Sequence, residues 1–280
     1  MNPAALLVGV LLPAAVAGAI FFAAWGLGSK AARADASAPA PAAAIAIGAA
    51  GMAGFGQLFG WQFLPRESWL WLLWVFPLAG LLGAVEAREG IPATLRFGLR
   101  LTLVAGALAL VLRKVLWSTG GELQWQKLAI YGAVPLLLAS LWRALLTPMG
   151  AVVGAGVLWL LTSATAAMLL FAGSLKLAQA SGVAAAALGA LAVACWLRPS
   201  PRAMAGAITP VAVVLSMLVF LGIEYGYAEY SPWLFALIAL APMFGASGLV
   251  RRHWARLFLI AIPVGIAVAL AFRTYDTSAL

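Results

Sequence analysis

The chain has 280 residues, of which 65% are hydrophobic and 9% charged, with a mean hydropathy of +1.06. A soluble domain carries about 25% charged residues, so a soluble globular fold is excluded. The formal net charge of +9 is spread between apolar runs, which fits orientation in a membrane and gives no footprint for nucleic acid. Cys195 and His253 are each the sole residue of their type. That rules out an intrachain disulfide, a cysteine metal site and haem held by paired histidines. We expect no metal and no cofactor.

Uncharged apolar runs of about 20 residues read as transmembrane helices. They are continuous rather than alternating, which favours helices over a barrel. The expected fold is all-α: a polytopic bundle of about ten helices forming a single integral membrane domain over 1–280. The spans fall near 4–28, 42–63, 69–86, 93–113, 128–147, 149–172, 177–197, 203–223, 232–250 and 254–273.

The first span has no Lys or Arg before it and is longer than a signal-peptide core, so it reads as a membrane helix. An Ala/Pro-rich linker, 28–42, follows. The second span ends in "GWQFLPRESW", 60–69, which carries Glu67. The third holds Pro77 in "PLAGLLG", 77–83, and ends at Glu86 and Glu89. Arg96 and Arg100 lie one turn apart on the fourth span and share a face. With Glu86 and Glu89 they form either a salt-bridged gate or a set of side chains snorkelling to lipid phosphate. Arg143 near the end of the fifth span has the same two readings. "TPMG", 147–150, then makes a tight turn or a kink. The sixth span is the most polar at its centre, with Thr162, Ser163 and Thr165. Such hydroxyls usually bond to carbonyls of their own helix. The eighth span ends in "GIEYGYAEYSPW", 222–233, with Glu224, Tyr225 and Glu229. The ninth holds Pro242 in "PMFGASG", 242–248.

The two aromatic, acidic phrases resemble each other, as do the two P-x-x-G-x-x-G segments. Arg96 and Arg113 bracket the fourth span as Arg256 and Arg273 bracket the tenth. "AAVAGAIFFAAW", 14–25, faintly echoes "AAALGALAVACW", 185–196. These matches suggest a parallel internal repeat of helices 1–4 and 7–10, with copies at 1–114 and 176–280 and helices 5–6 between them. Pro77 and Pro242 would kink their helices and free the carbonyls of Leu73 and Ile238. The glycines Gly80, Gly83, Gly245 and Gly248 would let another backbone approach.

No phosphate-binding loop, zinc-protease or nucleophile-elbow motif is present. No nucleophile stands beside a base. The leading functional expectation is a transporter or permease for a small solute, since duplicated bundles are typical of carriers. Its path would lie between the copies, with Glu67, Glu224, Glu229 and Tyr225 at the outer mouth and Arg96 and Arg100 at the inner one. Thr162 and Ser163 would flank it. The alternative is a non-catalytic structural or assembly subunit of a membrane complex, favoured by the scarcity of intramembrane charge. A lipid-modifying membrane enzyme ranks below both. The expected partners are membrane lipids and other membrane proteins.

Lys and Arg are in excess in the loops after odd-numbered spans, which places those loops in the cytoplasm. The expected location is a multi-pass cell membrane protein, in the manner of a bacterial inner membrane, with both termini outside. Reporter fusions test this: residue 280 should report outside and the 198–202 loop inside. Cytoplasmic activity at residue 280 would overturn the assignment.

Overall fold

The computed structural model describes residues 3–27, 39–88, 90–117, 121–197, 203–226, 232–246 and 253–278. Among them every regular element is a helix, and β structure is limited to an isolated bridge between Trp117 and Leu123. Residues 28–38 of the expected 28–42 linker, Glu89, the 227–231 stretch with Glu229, Gly248 and the 198–202 and 251–252 basic loops lie outside the described residues, and 39–42 already belong to a helix.

The helices are α1 (Pro3–Leu27), α2 (Pro39–Phe59), α3 (Leu72–Glu86), α4 (Ala93–Val111) and α5 (Trp125–Leu146). After them come α6 (Ala151–Phe171), α7 (Leu175–Leu197), α8 (Ile208–Tyr225), α9 (Pro232–Ala246) and α10 (His253–Ser278). Each falls on one expected span. Eight of them contain segments long and apolar enough to cross a membrane. The polytopic helical bundle is therefore observed.

Local chemistry sets the boundaries. The phrase at 60–69 begins where α2 must stop: Gly60 has φ of 90°, and its amide still closes a turn on the Gly56 carbonyl at 2.9 Å. Only glycine takes that conformation without strain. A single 3-10 turn, Ser68–Trp71, then leads into α3. Between α5 and α6 the "TPMG" segment is a turn: Thr147–Met149 is 3-10, and Gly150 reverses the chain at φ 83°.

The packing centres on α8, 78% of whose span is buried. It contacts α3, α4, α5, α6 and α7. The other close pairs are α1 with α2 and α7, α2 with α3, α6 with α7, and α6 with α10. The expected first span is thus seated between two others. By contrast α4, α5 and α10 are buried over only 28%, 22% and 28% of their spans. Their free faces carry Phe97, Leu137, Phe258 and Ile266, the side chains a bilayer tolerates and water does not.

Apolar side chains gain little by leaving lipid for a protein interior, so close backbone approach must hold such helices together. A Cβ added at Gly80 would sit 2.8 Å from both the Ala44 carbonyl oxygen and the Gly48 Cα. One added at Gly83 would sit 2.3 Å from the Gly206 carbonyl oxygen. These glycines are packing devices that lock α3 against α2 and the chain entering α8.

The packing gives the internal repeat no support. A Cβ at Gly245 would meet the Ile260 side chain of α10 at 2.5 Å, with the nearest backbone atom, the Arg256 carbonyl oxygen, at 3.4 Å, a looser approach than at Gly80 or Gly83. Pro77 lies inside the continuous helix α3, whereas Pro242 opens the second piece of α9, which is interrupted at Ala241. The α2–α3 contact has no comparable α8–α9 counterpart among the described residues. Nor is the Ile238 carbonyl left free: it accepts the Ala241 amide at 3.1 Å. The Ala239 carbonyl at the same break accepts the indole N–H of Trp142 at 2.8 Å. The interruption in α9 is therefore capped from α5.

Replacing Gly80 with leucine should destabilise the folded protein by roughly 1–3 kcal/mol, the usual range for overpacking. Gly106→Leu should be nearly neutral, since a Cβ there meets nothing within 4 Å. Thermal unfolding in detergent compares the two.

Candidate functional site

Polar side chains gather at the two opposite ends of the bundle. The end of α3, the start of α4, the end of α5 and the start of α8 converge at one. There Glu86 is 1% exposed. A carboxylate that far from water must be saturated with donors. Arg100 Nε donates to Glu86 Oε1 at 2.8 Å and its Nη2 to Oε2 at 2.9 Å, a bidentate fork. Thr209 Oγ1 donates to Oε2 at 2.8 Å, and Arg143 Nη1 reaches the same oxygen at 3.3 Å. Arg143 Nη2 lies 3.4 Å from the Glu86 backbone carbonyl oxygen. The remaining arm of Arg100 reaches Ser140 Oγ at 3.2 Å. One carboxylate thus ties α3 to α4, α5 and α8.

Arg96, one turn before Arg100, stays out of this network. Its Nε and the Thr147 hydroxyl are buried without a hydrogen-bond partner. Both line an open groove of about 640 Å³ between α4 and α5, together with Phe97, Arg100, Ser140 and Arg143.

At the opposite end, Lys127 and Tyr131 occupy successive turns of α5 and face α8. Lys127 Nζ lies 2.8 Å from the Glu224 carboxylate. The Tyr131 hydroxyl also donates to Glu224, and its ring stacks on Phe220 with centroids 4.2 Å apart. Beside this pair opens a cavity of about 720 Å³, where the loop before α3, the turn after α4, the α6–α7 loop and the end of α8 converge. Its charged and aromatic lining is Glu67, Trp69, Lys114, Lys176 and Tyr225. Glu67 accepts the Trp69 indole N–H. Lys176 sits over the same indole, 5.3 Å from the ring centroid, a cation–π distance.

The expected site residues separate accordingly. Glu67 and Tyr225 meet in one cavity. Glu224 adjoins Tyr225 in sequence but is committed to Lys127 and Tyr131. Glu229 lies outside the described residues. Arg96 and Arg100 belong to the other end, and only Arg100 is bound into the Glu86 cluster. Thr162, in the middle of α6, donates to the Leu158 carbonyl at 2.8 Å, and its own carbonyl accepts Ser181 Oγ from α7 at 2.9 Å. Ser163 is half-buried beside it. Neither hydroxyl lines the cavity.

Lys114 and Lys176 bring positive charge to the same wall as Glu67 and Tyr225. Sequence reasoning missed these lysines because it treated them as loop charge alone. It also missed Ser140 and Thr209, whose hydroxyls carry no signal at a span end. The Lys127–Tyr131 spacing of one helical turn was legible but unused. No group of three or more His, Cys, Asp or Glu that could hold a metal occurs among the described residues. Comparison of the chain with protein-family models, curated proteins and solved structures finds no match.

Glu86→Gln should lower stability sharply, by about 3–5 kcal/mol, because it leaves the Arg100 charge buried and unbalanced. Lys127→Gln should cost roughly 1 kcal/mol or less, since that lysine side chain is 38% exposed and exposed pairs contribute little. Thermal unfolding of both variants in detergent tests the ranking.

Proposed function

We propose that this multi-pass membrane protein is a carrier for a small polar solute, which enters through the cavity lined by Glu67, Lys114, Lys176 and Tyr225. The observation that supports it is that cavity, of about 720 Å³. Its volume lies within the range of about 300–1,000 Å³ usual for small-molecule sites. Both signs of charge stand on its wall, so it suits a solute bearing a carboxylate or phosphate together with a cationic or hydrogen-bonding group. At the opposite end Glu86, Arg100, Arg143 and Thr209 tie α3, α4, α5 and α8 together. A cavity at one end opposite an ion-linked cluster at the other suits alternating access. The Lys/Arg excess places the Glu86 end in the cytoplasm, the cavity outside and both termini outside.

A second reading, a non-catalytic subunit of a larger membrane complex, is favoured by the interior between the two ends. The hydroxyls of Thr162, Thr165, Ser181 and Ser216 are all hydrogen-bonded to backbone carbonyls. No unpaired polar group marks a path through the middle among the described residues. Transmission would need α8 and its neighbours to part.

A panel of anionic, cationic and zwitterionic small solutes, screened by thermal shift on the purified protein, separates the two. A carrier should be stabilised by one class, the effect should vanish in Lys176→Gln and Glu67→Gln, and the hit should be taken up into proteoliposomes. No stabilising solute, together with a stable partner co-purifying from native membranes, would establish the subunit reading instead.

A further inference from the structure

We infer that the groove between α4 and α5 at the Glu86 end binds the phosphate of an anionic membrane lipid. The argument starts from charge. Arg96, Arg100 and Arg143 line this groove, and among the described residues only the Glu86 carboxylate is paired with any of them. Glu86 spends both oxygens on Arg100, Arg143 and Thr209. Positive charge therefore remains in excess at the groove. Arg143 makes only long contacts, 3.3 and 3.4 Å, and a guanidinium offers five N–H donors.

A second observation points the same way. Arg96 Nε and Thr147 Oγ1 are buried and unpartnered, and both line the groove. A buried polar atom without a partner is costly, and a phosphate oxygen is a strong acceptor for either. Arginine forks suit phosphate oxygens in particular.

Geometry selects the lipid over a free anion. The groove lies between α4 and α5, two of the least buried spans. Phe97, 55% exposed, stands on its wall, and Leu101 and Leu137 are exposed farther along the same helices. A phosphate held by the arginines would leave acyl chains lying along these apolar faces. Basic pockets between spans at the cytoplasmic side are a recurrent lipid-binding arrangement. The inference does not depend on solute transport, since it concerns the opposite end of the bundle from the 720 Å³ cavity.

The test uses the full chain in neutral detergent. Retention of phosphatidylglycerol is measured by native mass spectrometry and thermal shift against phosphatidylcholine and against inorganic phosphate. Phosphatidylglycerol should be retained preferentially and raise the melting temperature. Arg96→Gln should weaken that retention about tenfold, the scale of one lost charge-assisted hydrogen bond. Its lipid-free melting temperature should not fall, because Arg96 is outside the Glu86 network and its Nε is buried without a partner. Thr147→Val offers an independent variant of the same groove, and Arg66→Gln, exposed in the loop before α3, serves as a control that should bind normally. Equal retention of phosphatidylcholine, or unimpaired retention in both groove variants, overturns the inference. Stabilisation by inorganic phosphate alone assigns the groove to a soluble anion and overturns the lipid source.

Discussion

A carboxylate withdrawn from water keeps its charge only if donors replace the hydration it lost. Glu86 meets that demand with Arg100, Arg143 and Thr209, drawn from three other helices. No single helix could supply them, because helical geometry cannot bring its own side chains to both oxygens from several directions. The positions of α4, α5 and α8 relative to α3 at this end are consequently fixed by one anion. Where apolar packing between lipid-soluble helices discriminates weakly, such a tie defines an arrangement.

The glycine contacts complete what the ion cluster begins. Gly83 brings α3 against the carbonyl of Gly206, just before α8, a few residues from the Glu86–Thr209 bond. Gly80 and Gly48 hold α2 to α3 nearer mid-helix. At the far end, Glu224 joins α8 to α5 through Lys127 and Tyr131. Helix α8 is therefore fastened at both ends, and its burial follows from the helices, α3 to α7 among them, that pack around it. The 720 Å³ cavity lies just outside this frame, in loops that the frame positions without filling.

Much of the fold was legible because hydrocarbon imposes a coarse rule, and runs such as 151–171 obey it without ambiguity. Turns were legible where glycine or proline dictated them, as at Gly60 and Gly150. The repeat was not secure, because apolar segments resemble one another without packing alike. Pro77 and Pro242 show this: one sits within an unbroken helix and the other begins a new one. The pairing of Arg100 with Glu86 was one of two readings left open by their proximity at a span end, the other being arginines snorkelling to lipid phosphate. What could not be read were Thr209 and Ser140, which are common residues whose importance depends on which distant helix they meet. The mixed charge of the cavity was hidden for the same reason, since Lys114 and Lys176 are far apart in sequence and adjacent only after folding.

The two ends of the molecule differ in how far solvent ions can reach their charges. Added salt weakens the attraction between exposed charges and screens buried pairs far less. Glu86 is 1% exposed, whereas the Lys127 side chain is 38% exposed. Raising salt therefore loosens the tie between α5 and α8 beside the cavity and leaves the Glu86 end intact. Ionic strength acts on this bundle as a one-sided variable, relaxing it next to the Lys114–Lys176 cavity while the Glu86 end stays tied.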